Sequence, residues 1–374
     1  MDDPQHMEAN VNEPPRVFPP SKYIKDLLKE RGWTQIDLAR VLGRTPNDVN
    51  NLIVGRTRMS PEFAQELAVV FGESPAYWLN LDNAYRLSQT DYVDSAIEHR
   101  SKLFSFPFKD MQKRKWIAEV TDPKELEEEF KRFFGDENYG DHRLVEASYK
   151  RTLKETKLNN AEKAWIRRAE QLARACPAEA FSEDKLPSLE IALRRLAAKS
   201  QAVTRAPELL AQSGVRFVII EPLPRVKIDG ASFWLDDKSP VIAMSVRFDN
   251  IGSFWFTLMH ELFHIKHKDQ FSFDDLESSS SDEAEIRANH EAAHALVPQE
   301  RLETFIRTHS PRFSEAMINN FATQIQIHPG IIVGQLQHRK EIGFKHHHKL
   351  MVRVRELVTE MAFTDGWGHP VPQV

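Results

Sequence analysis

Residues 254–264 read Phe254-Trp255-Phe256-Thr257-Leu258-Met259-His260-Glu261-Leu262-Phe263-His264. The apolar run that precedes His260 predicts a buried helix. On a helix, residues four apart share one face, so the imidazoles of His260 and His264 reach a single Zn²⁺. Glu261, one step round, is placed to act as a base on a water beside the metal. A hydrolytic zinc site needs a third protein ligand and an open position. Glu285 is the candidate, on the helix expected after an acidic stretch. Asn289, four residues further along the same face, is a candidate hydrogen-bond partner for a liganding histidine. His267 is an alternative third ligand, although a carboxylate is the more usual companion of such a histidine pair.

A second copy of the motif, His290-Glu291-Ala292-Ala293-His294, follows. It lies inside the segment expected to supply the third ligand, and no buried-looking run precedes it. It reads as a surface coincidence or an auxiliary site.

Upstream of the metal motif the period changes. Val215 to Ile220 is β-rich, and Ala231–Leu235 and Val241–Met244, joined by Asp236-Asp237-Lys238, form a hairpin pattern. From Ser253 helices return and run to about Glu360. Asp274 to Glu283, acidic with four consecutive serines, predicts an exposed loop. The divisions read from the sequence are a disordered arm at 1–20, a helical module at 21–90 and a charged helical connecting region at 91–200. A mixed α and β domain follows at 201–345, then a C-terminal helix and loose tail at 346–374. The fold class is α+β.

The N-terminal module has short helices separated by tight turns. Ile24, Leu27 and Leu28 mark one helical face, ended by Gly32. Thr34 with Asp37 forms a capping-box pattern before a second helix through Leu42, and Gly43 turns into a third helix that starts near Thr45 or Pro46. Two short helices joined by a glycine turn are the helix-turn-helix signature. Gln35, Thr45, Asn47, Asp48, Asn50 and Asn51 are short polar candidates for base contacts. Arg40, Arg44, Arg56 and Arg58 flank them as candidate phosphate contacts on double-stranded DNA. A small helical bundle that binds protein shares the same pattern.

Leu42-Gly43-Arg44, Val54-Gly55-Arg56, Ser60-Pro61-Glu62-Phe63-Ala64 and Trp78-Leu79-Asn80-Leu81-Asp82-Asn83-Ala84-Tyr85 resemble the HigA-like branch of the Xre-type helix-turn-helix family. Asp82 stands where that family usually has Gln. The resemblance implies an antitoxin or repressor that binds operator DNA as a homodimer, with a toxin as a possible partner.

Gly230-Ala231-Ser232-Phe233-Trp234, Pro240-Val241-Ile242, Phe254 to Glu261, Glu285-Ile286-Arg287-Ala288-Asn289, Leu296-Val297-Pro298 and Pro329 to Gln337 resemble the ImmA/IrrE metallopeptidases. Phe106 to Met111 and Phe133-Phe134-Gly135 fit too, so the resemblance is to fusions of the two families along nearly the whole chain. Glu291 stands where this second family commonly has Phe. The resemblance implies a zincin-like α+β peptidase with zinc held by His260, His264 and Glu285 and with Glu261 as base. Its substrate would be a protein, often a helix-turn-helix repressor. A rival reading is a non-proteolytic antitoxin or repressor whose peptidase-like domain senses a signal or binds a toxin.

Composition bounds the rest. Three hundred and seventy-four residues, 374 in the numbering used here, suit two or three domains, and a net charge of −5 confines any nucleic-acid contact to a local patch. Cys176 is the single cysteine, so no internal disulfide forms and a reducing, cytoplasmic setting is expected. No apolar run approaches a membrane span, and no glycine-rich phosphate loop is present. Lys109, Lys113, Arg114 and Lys115 form a basic cluster read as a solvated helix face. His346-His347-His348 reads as a solvated basic loop.

Overall fold

The structure, a computed structural model, describes residues 17–89, 95–135, 158–269, 271–274 and 283–372. The expected disordered arm up to residue 16 and the acidic serine loop at 275–282 lie outside the described residues. The chain divides into two compact units, Met1–Glu98 and His99–Val374.

The first unit holds helices α1 (Pro20–Arg31), α2 (Gln35–Leu42), α3 (Pro46–Ile53), α4 (Pro61–Phe71) and α5 (Pro75–Ser88). Their boundaries are set locally. Thr34 and Thr45 each form a full capping box, with Asp37 and Asp48 respectively. Gly43 ends α2 at φ +66°, a left-handed turn that costs a Cβ-bearing residue energy and glycine almost none. Ile24, Leu38, Val49, Leu67 and Trp78 fill the core between the helices.

The second unit is a five-stranded sheet with helices on both faces. Its strands are β1 (Arg216–Ile220), β2 (Gly230–Trp234), β3 (Pro240–Met244), β4 (Phe271–Asp274) and β5 (Phe363–Asp365), in the order β4-β2-β3-β1-β5. β2 and β3 form the expected antiparallel hairpin, while β1 runs parallel to both β3 and β5. Alternation along β1 sends Phe217 and Ile219 to one face and Val218 and Ile220 to the other.

On the first face lie α10 (Leu186–Leu196), α11 (Ala206–Gln212), α12 (Ile251–Lys266), α13 (Glu283–Leu296), α14 (Gln299–His309), α15 (Glu315–Ile325), α16 (Pro329–His338) and α17 (Arg355–Thr359). On the second face lie α6 (Ser95–Phe104), α7 (Phe108–Lys113), α8 (Pro123–Phe134) and α9 (Asn160–Ala175). The described part of the region read as a connection at 91–200 therefore packs on the sheet. Phe130, Phe134 and Trp165 share a core with Val218, Ile220 and Ala243.

Two further expectations are corrected. The helical stretch from Ser253 to Glu360 is interrupted by β4, an edge strand paired to β2. The C-terminal tail is tied down as far as Pro372, whose carbonyl accepts from Arg168 (3.3 Å). β5 joins the sheet, the Trp367 backbone N–H donates to Glu221 (2.8 Å), and His369 contacts the Thr359 hydroxyl (3.1 Å). Asp365 in β5 is fully buried. It pairs with Arg168 of α9 and accepts a hydrogen bond from the Trp116 indole (2.8 Å). A sequence rich in Gly and Pro gives no local sign of such long-range anchors.

Candidate functional site

α12 begins at Asn250, whose side chain accepts a hydrogen bond from the Ser253 N–H (2.8 Å). Its fully buried Trp255 and nearly buried Phe254 each contribute about 1.5–3 kcal/mol through burial. That apolar contact fixes the helix against β2 and β3 and sets the azimuth of its polar residues. His260, Glu261 and His264 are all fully buried.

The Nε2 atoms of His260 and His264 lie 3.0 Å apart. Glu285, near the start of α13, brings Oε2 to 3.1 Å from His260 Nε2 and Oε1 to 3.4 Å from His264 Nε2. Four ligands at zinc distances of 2.0–2.2 Å in a tetrahedron stand roughly 3.3 Å from one another. The two ring nitrogens, and the Glu285 carboxylate with one oxygen toward each, lie at about that spacing, so the donor set fits zinc by chemistry and by spacing.

In the metal-free cluster, burial works against a charge on His264. Hydrogen bonds that the ring donates to Asp269 and Glu285 outweigh it and push the ring up to about 9. For Glu285 burial again opposes the charge, while the two histidines hold the carboxyl far below its ordinary value.

The outer partner of the site is Asp269. Its Oδ2 lies 2.8 Å from His264 Nδ1, and Arg287 of α13 donates to the same carboxylate at 2.9 Å. A carboxylate behind a metal-binding histidine fixes ring orientation and tautomer. Asp269 reaches back because α12 ends in a left-handed turn. Lys268 has φ +58°, and the Asp269 N–H donates to the His264 carbonyl (2.9 Å). Asn289 is half-buried on α13 and makes no hydrogen bond to either imidazole among the described residues.

Glu261 faces β2. A Cβ built on Gly230 would stand 2.7 Å from Glu261 Oε1 and 2.5 Å from Thr257 Cγ2. The missing side chain is what allows the helix to lie so close to the strand. Asp229, just before that glycine, is clamped by Arg247 at 2.6 and 2.9 Å. Phe256 lies one turn before His260, with ring centroids 6.2 Å apart.

The remaining histidines sit apart from this cluster. His267 is exposed and meets Glu291 at 3.0 Å. That contact ties the end of α12 to α13 and gives the polar residue at 291 a partner. His290 and His294 are exposed on α13, and His346 and His348 are exposed near a short 3₁₀ turn.

In the first unit, Asn47, Arg40, Arg56 and Arg58 are exposed, and Gln35, Asn50 and Asn51 are half-buried. Arg40 lies 3.6 Å from Asp37. Thr45 and Asp48 cap α3. Arg44 forms a two-pronged pair with Glu66 at 2.5 and 2.9 Å and lies over the Phe63 ring. Asp82, read from the sequence only as a family departure, is buried. It accepts from the Met59 N–H (3.1 Å) and pairs with Arg86 (2.9 Å), which donates to the Thr57 carbonyl (2.8 Å). Those contacts pin the loop that carries Arg56 and Arg58.

A helical module of the regulator type thus precedes an α+β domain bearing a His-His-Glu cluster. Through residues 24–78 the chain belongs to the helix-turn-helix family, and residues 212–317 match the IrrE N-terminal-like domain of the M78 peptidases. It therefore joins a DNA-binding helix-turn-helix regulator domain to a metallopeptidase-like one.

The uncharacterized HTH-type transcriptional regulator YddM of Escherichia coli (strain K12) is 35% identical over 72 residues, 19% of this chain and 77% of that protein. Virulence-associated protein I of Dichelobacter nodosus is 27% identical over 89 residues, 24% of this chain and 82% of that one. Among solved structures, antitoxin GraA is 32% identical, covering 20% of this chain and 81% of that chain with a TM-score of 0.19. No helix among the described residues is long and apolar enough to cross a membrane.

Proposed function

We propose that this protein is a transcriptional regulator that binds operator DNA through its first unit and cleaves a protein through its second. The convergence of two imidazoles and one carboxylate at 3.0–3.4 Å, beside the buried Glu261, carries the peptidase reading. His260, His264 and Glu285 would hold Zn²⁺. Zinc there supplies Lewis acidity toward the scissile carbonyl and the attacking water.

The Glu261 carboxylate takes one proton from that water as its oxygen bonds to the carbonyl carbon, and delivers the proton to the leaving amine as the C–N bond breaks. Asp269 holds the His264 ring with Nε2 toward the metal. The substrate in this reading is a helix-turn-helix repressor or the chain itself.

In the DNA reading α3 enters the major groove, with Asn47, Asn50 and Asn51 toward base edges and Arg56 and Arg58 toward phosphate. A homodimer suits a palindromic operator. The exposed apolar Val69 and Leu87 offer surface to a second copy.

The test compares wild type with Glu261→Gln for zinc content and for cleavage of co-purified repressors. Zinc in both with cleavage only in wild type is the expected result. Equal cleavage defeats the mechanism. Zinc retention with no cleavage of any partner favours instead a repressor or antitoxin whose peptidase-like domain serves as a sensor or toxin-binding platform.

A further inference from the structure

On the face of the sheet away from the metal cluster lies a cleft of about 1080 Å³. Five cations line it, Lys113, Lys115, Arg132, Arg168 and Arg174, and among the described residues no Asp or Glu does. That exclusion is notable in a chain with 55 acidic and 50 basic residues.

The arginines have partners behind the wall: Arg168 with Asp365, Arg132 with Glu129 and Arg174 with Glu170. Lys113 and Lys115 have no carboxylate partner among the described residues and are exposed, so they leave net positive charge at the rim. Lys115 occupies a left-handed position, φ +58°, at the end of α7, where glycine would be unstrained.

Apolar residues line the same cleft, beside the cations in sequence. Trp116 and Phe133 stack with centroids 6.0 Å apart and 8° between planes, and Ala175 and Pro370 to Pro372 continue the surface. The cleft is held in shape by the buried Asp365. That carboxylate binds both Arg168 and Trp116, and Arg168 donates to the Pro372 carbonyl (3.3 Å). A preformed site of this size, lined by both cations and apolar groups, suits a small molecule carrying phosphate and a flat group.

We propose that this cleft binds a nucleoside polyphosphate, with its phosphates at Lys113, Lys115 and the arginines and its base against the partly exposed Pro370-Val371-Pro372 segment. The site is independent of the proteolytic reading. It would give the second unit a small-molecule input.

The experiment is calorimetric titration of the full chain with MgATP and with inorganic triphosphate, at physiological salt. We compare wild type, Lys113→Glu/Lys115→Glu, and Arg56→Ala/Arg58→Ala in the first unit. The expected result is saturable binding of MgATP, weakened by about tenfold or more in the lysine variant, since charge-assisted contacts are lost. The first-unit variant should bind as wild type does. Absence of binding, or equal binding by the lysine variant, overturns the proposal. Inorganic triphosphate binding as tightly as MgATP overturns the nucleotide assignment. If the lysine variant loses DNA affinity while no nucleotide binds, the cleft is a DNA contact and the proposal fails.

Discussion

Gly230→Ala isolates the base from the metal. The new methyl would stand 2.5 Å from Thr257 Cγ2, 2.7 Å from Glu261 Oε1 and 3.0 Å from Glu261 Cγ. Relief to ordinary contact near 3.4 Å requires a displacement of about 0.7–0.9 Å. The strand cannot easily supply it. Gly230 is paired to Met244 on one side and Asp274 on the other, and Asp229 is clamped by Arg247. The movement therefore falls on the Thr257 and Glu261 side chains. Overpacking of this kind costs about 1–3 kcal/mol of stability. A misplacement near 1 Å at a reacting group costs roughly 100-fold in rate.

The expected phenotype is a protein that keeps its metal, because the atoms nearest the new methyl belong to Thr257 and Glu261 and to none of His260, His264 and Glu285. It should melt at a lower temperature and cleave its substrate about 100-fold more slowly. The assay pairs metal analysis and thermal melting with cleavage of an identified substrate. Thr257→Ser in the same chain removes Cγ2 and should recover part of the stability without the activity. Full activity in Gly230→Ala refutes the placement of Glu261. Loss of metal in a folded Gly230→Ala protein refutes the separation of base from ligands.

Other outcomes follow from the same contacts. Asp269→Asn should weaken metal affinity by about 10–100-fold with the fold intact, measured by competition with a chelating dye. Unchanged affinity would mean that the His264 ring is oriented by something else. In metal-free protein His264 is raised from its ordinary value to about 9. Its stabilising contribution is complete below about pH 6.5 and is lost as pH rises through about 9. Metal must displace the same proton, so affinity rises over that window, and uptake near neutral pH releases a proton detectable in buffers of different ionisation enthalpy. Asp365→Ala leaves Arg168 buried without its partner and should cost about 3–5 kcal/mol in denaturant unfolding; a loss below 1 kcal/mol would show the pair to be dispensable.

Much of the site was readable because it is local. The four-residue spacing of His260 and His264 is a property of any helix, and the apolar run before them states which face is buried. The first unit was readable for the same reason, since Thr34, Gly43, Thr45 and Ser60 place helix ends within a few residues of themselves. Spacing offered Asn289 as a partner for the histidines, because it lies one turn from Glu285. The observed partner, Asp269, depends on a left-handed turn at Lys268 and on Arg287 from the next helix.

The sequence by itself determined the periodic elements: the capped helices of the first unit, the β2–β3 hairpin and the helix with two histidines on one face. Only the tertiary structure decided that Glu285 closes the metal cluster at 3.1 and 3.4 Å, that Gly230 yields room to Glu261, and that β5 carries a buried aspartate beneath α9. The physical reason is range. Hydrogen-bond ladders and caps act over a few residues and leave a pattern in the chain. Which surfaces meet is settled by burial summed over segments far apart in sequence, and no single window of residues records that sum.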